Sequence, residues 1–147
     1  MKPTAAPPSL SDLVLRYARL LDRGHYDEWL ELFAENGSYS VIPRENRDRG
    51  ARLFVLNDSK AQLQRRIAQF RDTYHMKTIH MVTNVEVEPD GGEAGRVTSY
   101  FTLYRDGVLV FVGQYEFDVA QHGTGWRIRR CQVVLDTELV RIIQMPI

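Results

Sequence analysis

Residues 9–33 read SLSDLVLRYARLLDRGHYDEWLELF, and this stretch predicts two helices joined by a tight connection. Ser9 and Asp12 have the spacing of an N-terminal capping box, and apolar residues then recur at helical spacing along one face. Gly24 is typical of the position just after a helix, so the first helix is expected to end there. A second, shorter helix is expected over about Tyr26–Ala34, and the two form a helical hairpin.

The pattern changes downstream of this hairpin. Asn36-Gly37 predicts a turn, Ser38–Ile42 a short strand, and Pro43–Gly50 a polar loop in which arginines alternate with acids. Ser59 and Gln62 again have capping-box spacing, which predicts another helix with apolar residues on one face.

From Ile79 onward the hydrophobic period changes from 3.6 residues to 2, which is typical of β-strands. Glycine-containing turn signals separate the apolar runs. Four strands are expected, over about Ile79–Glu88, Arg96–Arg105, Val108–Ala120 and Trp126–Asp136. Helices followed by a run of antiparallel strands predict an α+β fold, with the helices on one face of a strongly curved, mainly antiparallel sheet that makes a cone.

The composition describes one ordinary soluble domain and disfavours several functions. The chain has 147 residues, with 19 Lys+Arg against 19 Asp+Glu, and zero net charge does not favour nucleic-acid binding. No apolar run reaches the roughly 18 residues that span a membrane, and no signal peptide is recognised, so a cytoplasmic location without a membrane partner is expected. Residues 1–8, which are rich in proline, are expected to form a flexible arm before a single domain over 9–147.

Cys131 is the only cysteine of the chain. One cysteine excludes an intrachain disulfide, a zinc site with several cysteines, and an iron–sulfur cluster held by two cysteines of this chain. Asp72, His75 and His80 are the set most similar to a two-histidine, one-carboxylate metal site, but no fixed-period motif presents them together. We therefore predict no metal site and no cofactor in this chain.

A further group of residues could line the interior of the cone. His80 and Asn84 fall on one face of a predicted strand, while Tyr17, Tyr100 and Tyr115 come from the first helix and the neighbouring strands. A histidine beside several phenols could perform acid–base chemistry on a small aromatic or carbonyl compound. Tyrosine and histidine at a helix–sheet interface are more often core residues with one hydrogen bond each, so a structural role is favoured and no catalytic residue is expected.

Residues 139–147 read LVRIIQMPI and are unusually apolar. Because disordered tails are usually polar, this segment is expected either to pack back onto the sheet or to be covered by another chain. The strands Arg96–Arg105 and Trp126–Asp136 also carry apolar residues at both parities, although the helices can cover only one face of the sheet. The other face is therefore expected to be covered by another subunit.

Five segments, in their order and spacing, resemble one known family. They are the helical hairpin 17–33, Pro43–Asn46, Asp58–Ile67, Ile79–Val85 and Arg127–Ile147. The hairpin is similar to the opening of the NTF2-like (SnoaL-like, cystatin-like) cone fold. Within that superfamily the chain resembles the small (β) subunit of aromatic-ring-hydroxylating (Rieske-type) dioxygenases, and most of all those of the salicylate and terephthalate hydroxylase type.

This resemblance implies a division of labour between two kinds of chain. In the family the large (α) subunit holds a Rieske 2Fe–2S cluster and a mononuclear iron, and three α subunits assemble with three mainly structural β subunits. The chain is therefore expected to scaffold a catalytic α subunit in the oxidation of an aromatic compound, without an active site of its own. Its single cysteine agrees with this division, because a Rieske site needs two cysteines and two histidines.

The resemblance also indicates where subunits meet. Arg44, Glu45 and Asn46 match the family pattern in a segment too polar for a core, so they are expected at an inter-subunit contact. A homotrimer of β subunits is expected through the outer side of the sheet and the C-terminal segment. The remaining predicted contact residues are Arg127, Arg129, Ile142, Ile143 and Met145.

Two other functions stay open. One is a free-standing cone-pocket lyase or isomerase, similar to scytalone dehydratase or ketosteroid isomerase, in which His80 would act. Ungapped matching places Arg19 at the dehydratase's aspartate position and the isomerase's base near Val41, so His80 would act without a carboxylate. The other is a homo-oligomeric binding module for a small aromatic ligand.

Overall fold

The computed structural model describes residues 9–136 and 145–147. These residues form four helices and six strands: α1 Leu10–Asp22, α2 Tyr26–Glu31, β1 Phe33–Pro43, α3 Arg44–Asp48, β2 Leu56–Ser59, α4 Lys60–Phe70, β3 Thr78–Asp90, β4 Ala94–Arg105, β5 Val108–His122 and β6 Gly125–Leu135. The predicted arm over 1–8 and two predicted contact residues, Ile142 and Ile143, lie outside the described residues. No helix in this part of the chain is long and apolar enough to cross a membrane.

Both predicted capping boxes are present. The Ser9 hydroxyl accepts a hydrogen bond from the Asp12 N–H at 3.2 Å, and the Asp12 carboxylate accepts one from the Ser9 N–H at 3.0 Å. At the start of α4, Ser59 and Gln62 make the same pair of contacts at 3.2 and 2.8 Å. The predicted second helix is too long: α2 ends at Glu31, because the chain is already extended two residues later.

The six strands form one mixed sheet in the order β2-β1-β6-β5-β4-β3. β1 and β6 are parallel, and the other neighbouring pairs are antiparallel. The predicted turn at Asn36-Gly37 is wrong, because these residues lie inside β1 where its register with β6 shifts. Gly37 is needed there, since a Cβ would lie 2.8 Å from the Ala34 carbonyl oxygen. β2 is not predicted from the sequence, because Leu56 is its only apolar residue.

Irregular pairing bends the sheet. Register shifts follow Thr83 in β3, Leu103 in β4 and Asp118 in β5. Bulges of this kind increase the bending and twist of the strands that contain them. The sheet consequently curves around α1, which contacts β3 and β4. The predicted α+β architecture is confirmed, with the three predicted helices, α1, α2 and α4, packed on the inner face of a curved sheet.

Aromatic rings fill the interior of the cone. The ring centroid of Tyr17 lies 5.4 Å from that of Trp29, 5.2 Å from that of Tyr115 and 5.1 Å from that of Phe117. The ring of Tyr115 also stacks on that of Phe101 at 4.2 Å. All five side chains are at most 1% exposed. Because ring pairs at these distances attract each other beyond the area they bury, this region is a packed core.

The predicted polar loop Pro43–Gly50 contains a short helix, α3, so the loop prediction is wrong in part. α3 contacts β1 and β6 on the face of the sheet away from the cone. Ile42 and Val134, register partners on those two strands, are buried. Among the described residues α3 therefore covers one part of the outer face, whereas apolar side chains of β3, β4 and the first half of β5 stay exposed on it.

Candidate functional site

The cone is closed by residues far apart in the sequence. The Tyr17 hydroxyl donates to the Ile147 carbonyl oxygen at 2.8 Å, and the Tyr39 hydroxyl donates to the same oxygen at 3.2 Å. The Ile147 N–H in turn donates to the Tyr39 hydroxyl at 2.9 Å. Burial raises the pKa of Tyr17 well above its ordinary value and raises the pKa of Tyr39 as well. Both phenols therefore stay protonated and act as neutral hydrogen-bonding groups.

His80 has a carboxylate partner that sequence matching did not find. The Asp22 carboxylate, at the last residue of α1, accepts from the His80 N–H at 2.9 Å and also contacts His80 Nδ1. The Thr78 hydroxyl donates to the same carboxylate at 3.1 Å. The expectation that His80 would lack a carboxylate is thus wrong, because matching was ungapped and the partner lies 58 residues away. The His80 side chain is only 2% exposed, so its imidazole lies among the chain's own residues.

The predicted five-residue pocket is only partly assembled. Tyr17 and Tyr115 are buried and the His80 side chain is 2% exposed, but Asn84 is exposed and Tyr100 is 54% exposed. Asn84 has φ 53° and lies at the register shift after Thr83, so the alternation that would place it beside His80 is broken. Tyr100 points outward because its neighbours in β4 point into the cone. The assignment of Asn84 and Tyr100 to the pocket is therefore wrong.

A network of charges crosses the outer face of the sheet. The Glu116 carboxylate is 2% exposed and lies between Arg96, which it contacts directly, and Arg47 of α3 at 2.8 Å. Next to it, Arg130 donates to Asp118 at 2.6 Å. We name these five residues the outer charge network. Buried carboxylates are costly unless they are paired, so the two arginines fix α3 and Glu116 in one arrangement.

Exposed apolar side chains lie beside this network on the outer face. β-Register places Met81 and Val112 on either side of Thr102, and Tyr100 opposite Thr83. We define the outer apolar patch as Ile79 (59% exposed), Met81 (54%), Tyr100 (54%), Leu109 (48%) and Val112 (40%). Exposed apolar side chains grouped on one face are typical of interaction surfaces, so this face is the candidate surface for contact with another chain. The sequence predicted that this face is covered by another subunit and placed Tyr100 on the face opposite Phe101, but it did not identify the other four residues of the patch.

The predicted contact residues around the sheet differ in their environments. Arg44 pairs with Asp136 at 3.0 Å between Nη2 and Oδ2, and the Glu45 side chain is 85% exposed. Asn46 donates to the Leu53 carbonyl oxygen at 3.0 Å. Arg127 donates to the Trp126 carbonyl oxygen at 3.1 Å, and Arg129 is exposed.

Met145 was expected at a contact with another chain. Its side chain is instead 1% exposed and packs into the chain's own core. The assignment is therefore corrected: of the two alternatives for the apolar C-terminal segment, packing back holds for Met145. The sequence could not decide this, because an apolar run fits a core and an interface equally well.

Metal ligation and thiol chemistry find no support among the described residues. Residues 9–136 and 145–147 contain no group of three or more His, Cys, Asp or Glu side chains that could hold a metal ion. Cys131 is buried, and burial raises the pKa of its thiol to about 12. A nucleophilic cysteine needs a lowered pKa, so this thiol is a packing residue.

Comparison with known proteins shows the family of this chain. The family model described as "Ring hydroxylating beta subunit" matches residues 16–142. The chain belongs to the ring hydroxylating beta subunit family. The predicted family is thus confirmed, and the chain is a β subunit of the aromatic-ring-hydroxylating dioxygenase type. The salicylate and terephthalate hydroxylase type stays a prediction.

Individual relatives agree with this membership. The small oxygenase component of the p-cumate 2,3-dioxygenase system of Pseudomonas putida is 28% identical over 144 residues, covering 90% of this chain and 80% of the relative. A structure assigned as the β subunit of an aromatic-ring-hydroxylating dioxygenase from Novosphingobium aromaticivorans superposes with TM-score 0.83 at 21% identity, covering 95% of each chain. An NTF2-like protein with a cystatin-like fold from Novosphingobium aromaticivorans has TM-score 0.63 at 20% identity, covering 87% of this chain and 80% of the other. The predicted NTF2-like fold is confirmed.

Proposed function

We propose that this β subunit is a scaffold that contacts other subunits through its outer sheet face and performs no reaction in its cone. One observation carries this proposal: the inner face of the sheet is packed with the chain's own aromatic rings, whereas the outer face exposes large apolar residues beside fixed ion pairs. A β subunit of a multicomponent dioxygenase has an α subunit as its partner. That partner would supply the reaction centre.

The cofactors of the reaction would lie in the α subunit. A Rieske 2Fe–2S cluster requires two cysteines and two histidines, and this chain has one cysteine, which is buried. The mononuclear iron would likewise belong to the α subunit. The contribution of the β subunit would be to hold the α subunits in one arrangement, which depends on surface complementarity and not on a side chain that touches substrate.

For the assembly we propose three α subunits with three β subunits, the β subunits forming a trimer. The outer apolar patch supplies the apolar centre of such a contact, and the outer charge network supplies a polar rim that is already ordered in the single chain. Arg44 and Glu45 lie on the same side of the molecule, at the start of α3, and would set the register between subunits. The cytoplasmic location stays a prediction.

The proposed reaction is oxidation of an aromatic carboxylate. The relative from Pseudomonas putida belongs to a p-cumate 2,3-dioxygenase system, and p-cumate is an aromatic carboxylate. This similarity supports the salicylate and terephthalate type as the substrate class. It concerns the substrate of the whole complex, because the β subunit would not contact it.

The assembly proposal is tested by placing one charge in the outer apolar patch. Met81→Asp puts a carboxylate where a β–β contact would be desolvated, and Leu15→Asp is the matched control on α1, where Leu15 is 49% exposed. Each variant is co-expressed with its α subunit, and the mass of the complex is measured by light scattering. We expect Met81→Asp to abolish the hexamer and Leu15→Asp to preserve it. A hexamer of unchanged stability with Met81→Asp would contradict the proposal.

A second candidate function is favoured by one observation, the Asp22–His80 pair. A carboxylate that orients an imidazole is an arrangement for general acid–base catalysis, and His80 Nε2 has no hydrogen-bond partner among the described residues. A free-standing lyase would release water from a small hydroxylated aromatic ketone and lose this activity in His80→Ala. Turnover by the isolated chain, abolished in His80→Ala while the fold is retained, would establish this function in place of the scaffold.

A further inference from the structure

A groove lies on the helix side of the molecule, between α1, α2 and the start of β6. Its volume of about 710 Å³ is in the range of small-molecule sites. The apolar part of its lining includes Leu13, Leu20 and Leu32, which are buried, and Trp126, which is half-buried against the core. The groove shares no residue with the outer apolar patch or the outer charge network, so it is a separate feature of the surface.

Positive charge in this groove exceeds the negative charge that could balance it. Four arginines line it: Arg16, Arg19, Arg23 and Arg127. Of its three carboxylates, that of Asp12 takes part in the α1 capping box and that of Glu28 lies 3.8 Å from Arg16. Glu31 is the third, and within residues 9–136 and 145–147 the other three arginines make no ion pair. Three unpaired guanidinium groups against one unpaired carboxylate favour an anionic ligand.

Arg127 is fixed beside the tryptophan of the groove. Its Nη1 donates to the Trp126 carbonyl oxygen at 3.1 Å, which holds the guanidinium where β6 begins. Arginine has further N–H groups, and these remain for a ligand. A guanidinium binds a carboxylate through two parallel hydrogen bonds, and an indole ring attracts other aromatic rings. Arg127 and Trp126 together therefore suit a molecule that is aromatic at one end and anionic at the other.

Other classes of ligand would use only part of this lining. A neutral aromatic compound would leave the arginines without a counter-charge, and inorganic phosphate would leave the leucines and the indole uncovered. A nucleic acid requires an extended basic surface, whereas the α2 side of the groove carries Glu28 and Glu31. The smallest ligand that uses both the apolar and the cationic part is an aromatic ring with one carboxylate.

We propose that the groove between α1, α2 and β6 is a binding site for a small aromatic carboxylate. The ring lies against Trp126 and the leucines, and the carboxylate accepts hydrogen bonds from Arg127 and from the arginines of α1. All of these groups come from one chain, so the site needs no second subunit. The proposal does not rest on the scaffold function, because binding is measured on the isolated β chain.

The experiment titrates the isolated chain with 4-tert-butylbenzoate and with the uncharged isostere 4-tert-butylbenzamide at low salt. Calorimetry gives the affinities, and tryptophan emission reports the location, since the chain has two tryptophans and Trp29 is fully buried. We expect the acid to bind and to change the emission, and the amide to bind at least about tenfold more weakly, because hydrogen bonds to a charged group are the stronger ones. A folded chain that does not bind the acid, or binds acid and amide equally, would overturn the proposal.

Two variants that remove the same charge separate the groove from general attraction to a basic surface. Arg127→Gln removes a lining guanidinium and should weaken binding of 4-tert-butylbenzoate at least about tenfold. Arg129→Gln removes an exposed arginine two residues away that does not line the groove, and should leave binding unchanged. Equal weakening by both variants would refute the site. Tighter binding of the acidic peptide acetyl-Glu-Val-Glu-amide than of 4-tert-butylbenzoate would overturn the ligand class and assign the groove to a protein segment.

Discussion

The two faces of β5 differ in the interactions that stabilise their side chains. On the inner face, Tyr115 and Phe117 have at most 1% exposure and their stability comes from ring packing. On the outer face, Glu116 is equally buried but held by two arginines, and Val112 is left 40% exposed. Consecutive residues of one strand therefore serve a closed core and an open, charge-ordered surface. The inside of this cone therefore maintains the fold, whereas the outer face carries the exposed surface that we propose for subunit contacts.

The largest expected effect comes from the inner face. Phe117→Ala should lower the free energy of unfolding by about 3–5 kcal/mol, because it removes a ring that packs against Tyr17 and Tyr115 and leaves a cavity. Urea unfolding at a fixed chain concentration measures this loss. Leu15→Ala, an exposed position on α1, should change it by no more than about 0.5 kcal/mol. Similar losses in both variants would mean that the cone is not the stabilising region.

The outer charge network gives the next effect. Glu116→Gln keeps the shape of the side chain but removes the charge shared by Arg47 and Arg96, so the chain should lose about 1.5–3 kcal/mol of stability. Glu45→Gln, at a position whose side chain is 85% exposed, is the control and should be nearly neutral. The comparison is made by chemical unfolding at low salt. An equally neutral Glu116→Gln would show that the network does not order this face.

Removal of a single hydroxyl oxygen should weaken the hydrogen bonds that hold Ile147 inside the cone. Tyr39→Phe removes the hydroxyl that contacts both the backbone N–H and the backbone oxygen of Ile147 and leaves that N–H without this partner, which should cost about 1–3 kcal/mol. Tyr100→Phe removes an exposed hydroxyl and should have no measurable effect on the isolated fold. Thermal unfolding of the two variants side by side tests whether the interior hydroxyl matters more than the exterior one. Equal Tm values for the two variants would contradict the claim that the hydrogen bonds of Tyr39 to Ile147 stabilise the fold.

Alkaline pH should affect the inner face selectively. Burial raises the pKa of the Cys131 thiol from its ordinary value near 9 to about 12. The unfolded chain therefore loses this proton first, so stability is full below pH 9 and falls as pH rises through about 12. Burial raises the pKa of Tyr17 and Tyr115 in the same direction, which steepens the fall above pH 10. Unfolding free energy measured from pH 8 to 11 should decrease, less steeply in Cys131→Ala; a flat profile would contradict this assignment.

Local signals in the sequence predict the helices well. The capping boxes at Ser9 and Ser59 form as expected, because each depends on residues three positions apart. Four long strands are also predicted nearly to their ends, since their period-2 pattern and glycine turns are local. Asn36-Gly37 misleads for the same reason: its turn signal is local, while the pairing of β1 with the distant β6 decides the structure.

The site depends on contacts that no local pattern reports. The register shift after Thr83 turns Asn84 away from His80, and a bulge of this kind leaves no trace in the apolar pattern. Asp22 meets His80 across 58 residues, and Tyr17 meets Ile147 across 130. The family resemblance predicts the function because it depends on segments from the whole length of the chain. The contacts that close the cone are seen only in the structure.

Hydroxyl-radical footprinting of the assembled α–β complex tests the scaffold account most directly. Met81 and Tyr100 lie in the outer apolar patch, and Met76, at 51% exposure outside it, serves as the internal reference. The account predicts that Met81 and Tyr100 are labelled in the dissociated β chain and protected in the complex, while Met76 is labelled equally in both. Labelling of Met81 and Tyr100 that stays as strong in the complex as in the dissociated chain would contradict the claim that the outer face is the assembly surface.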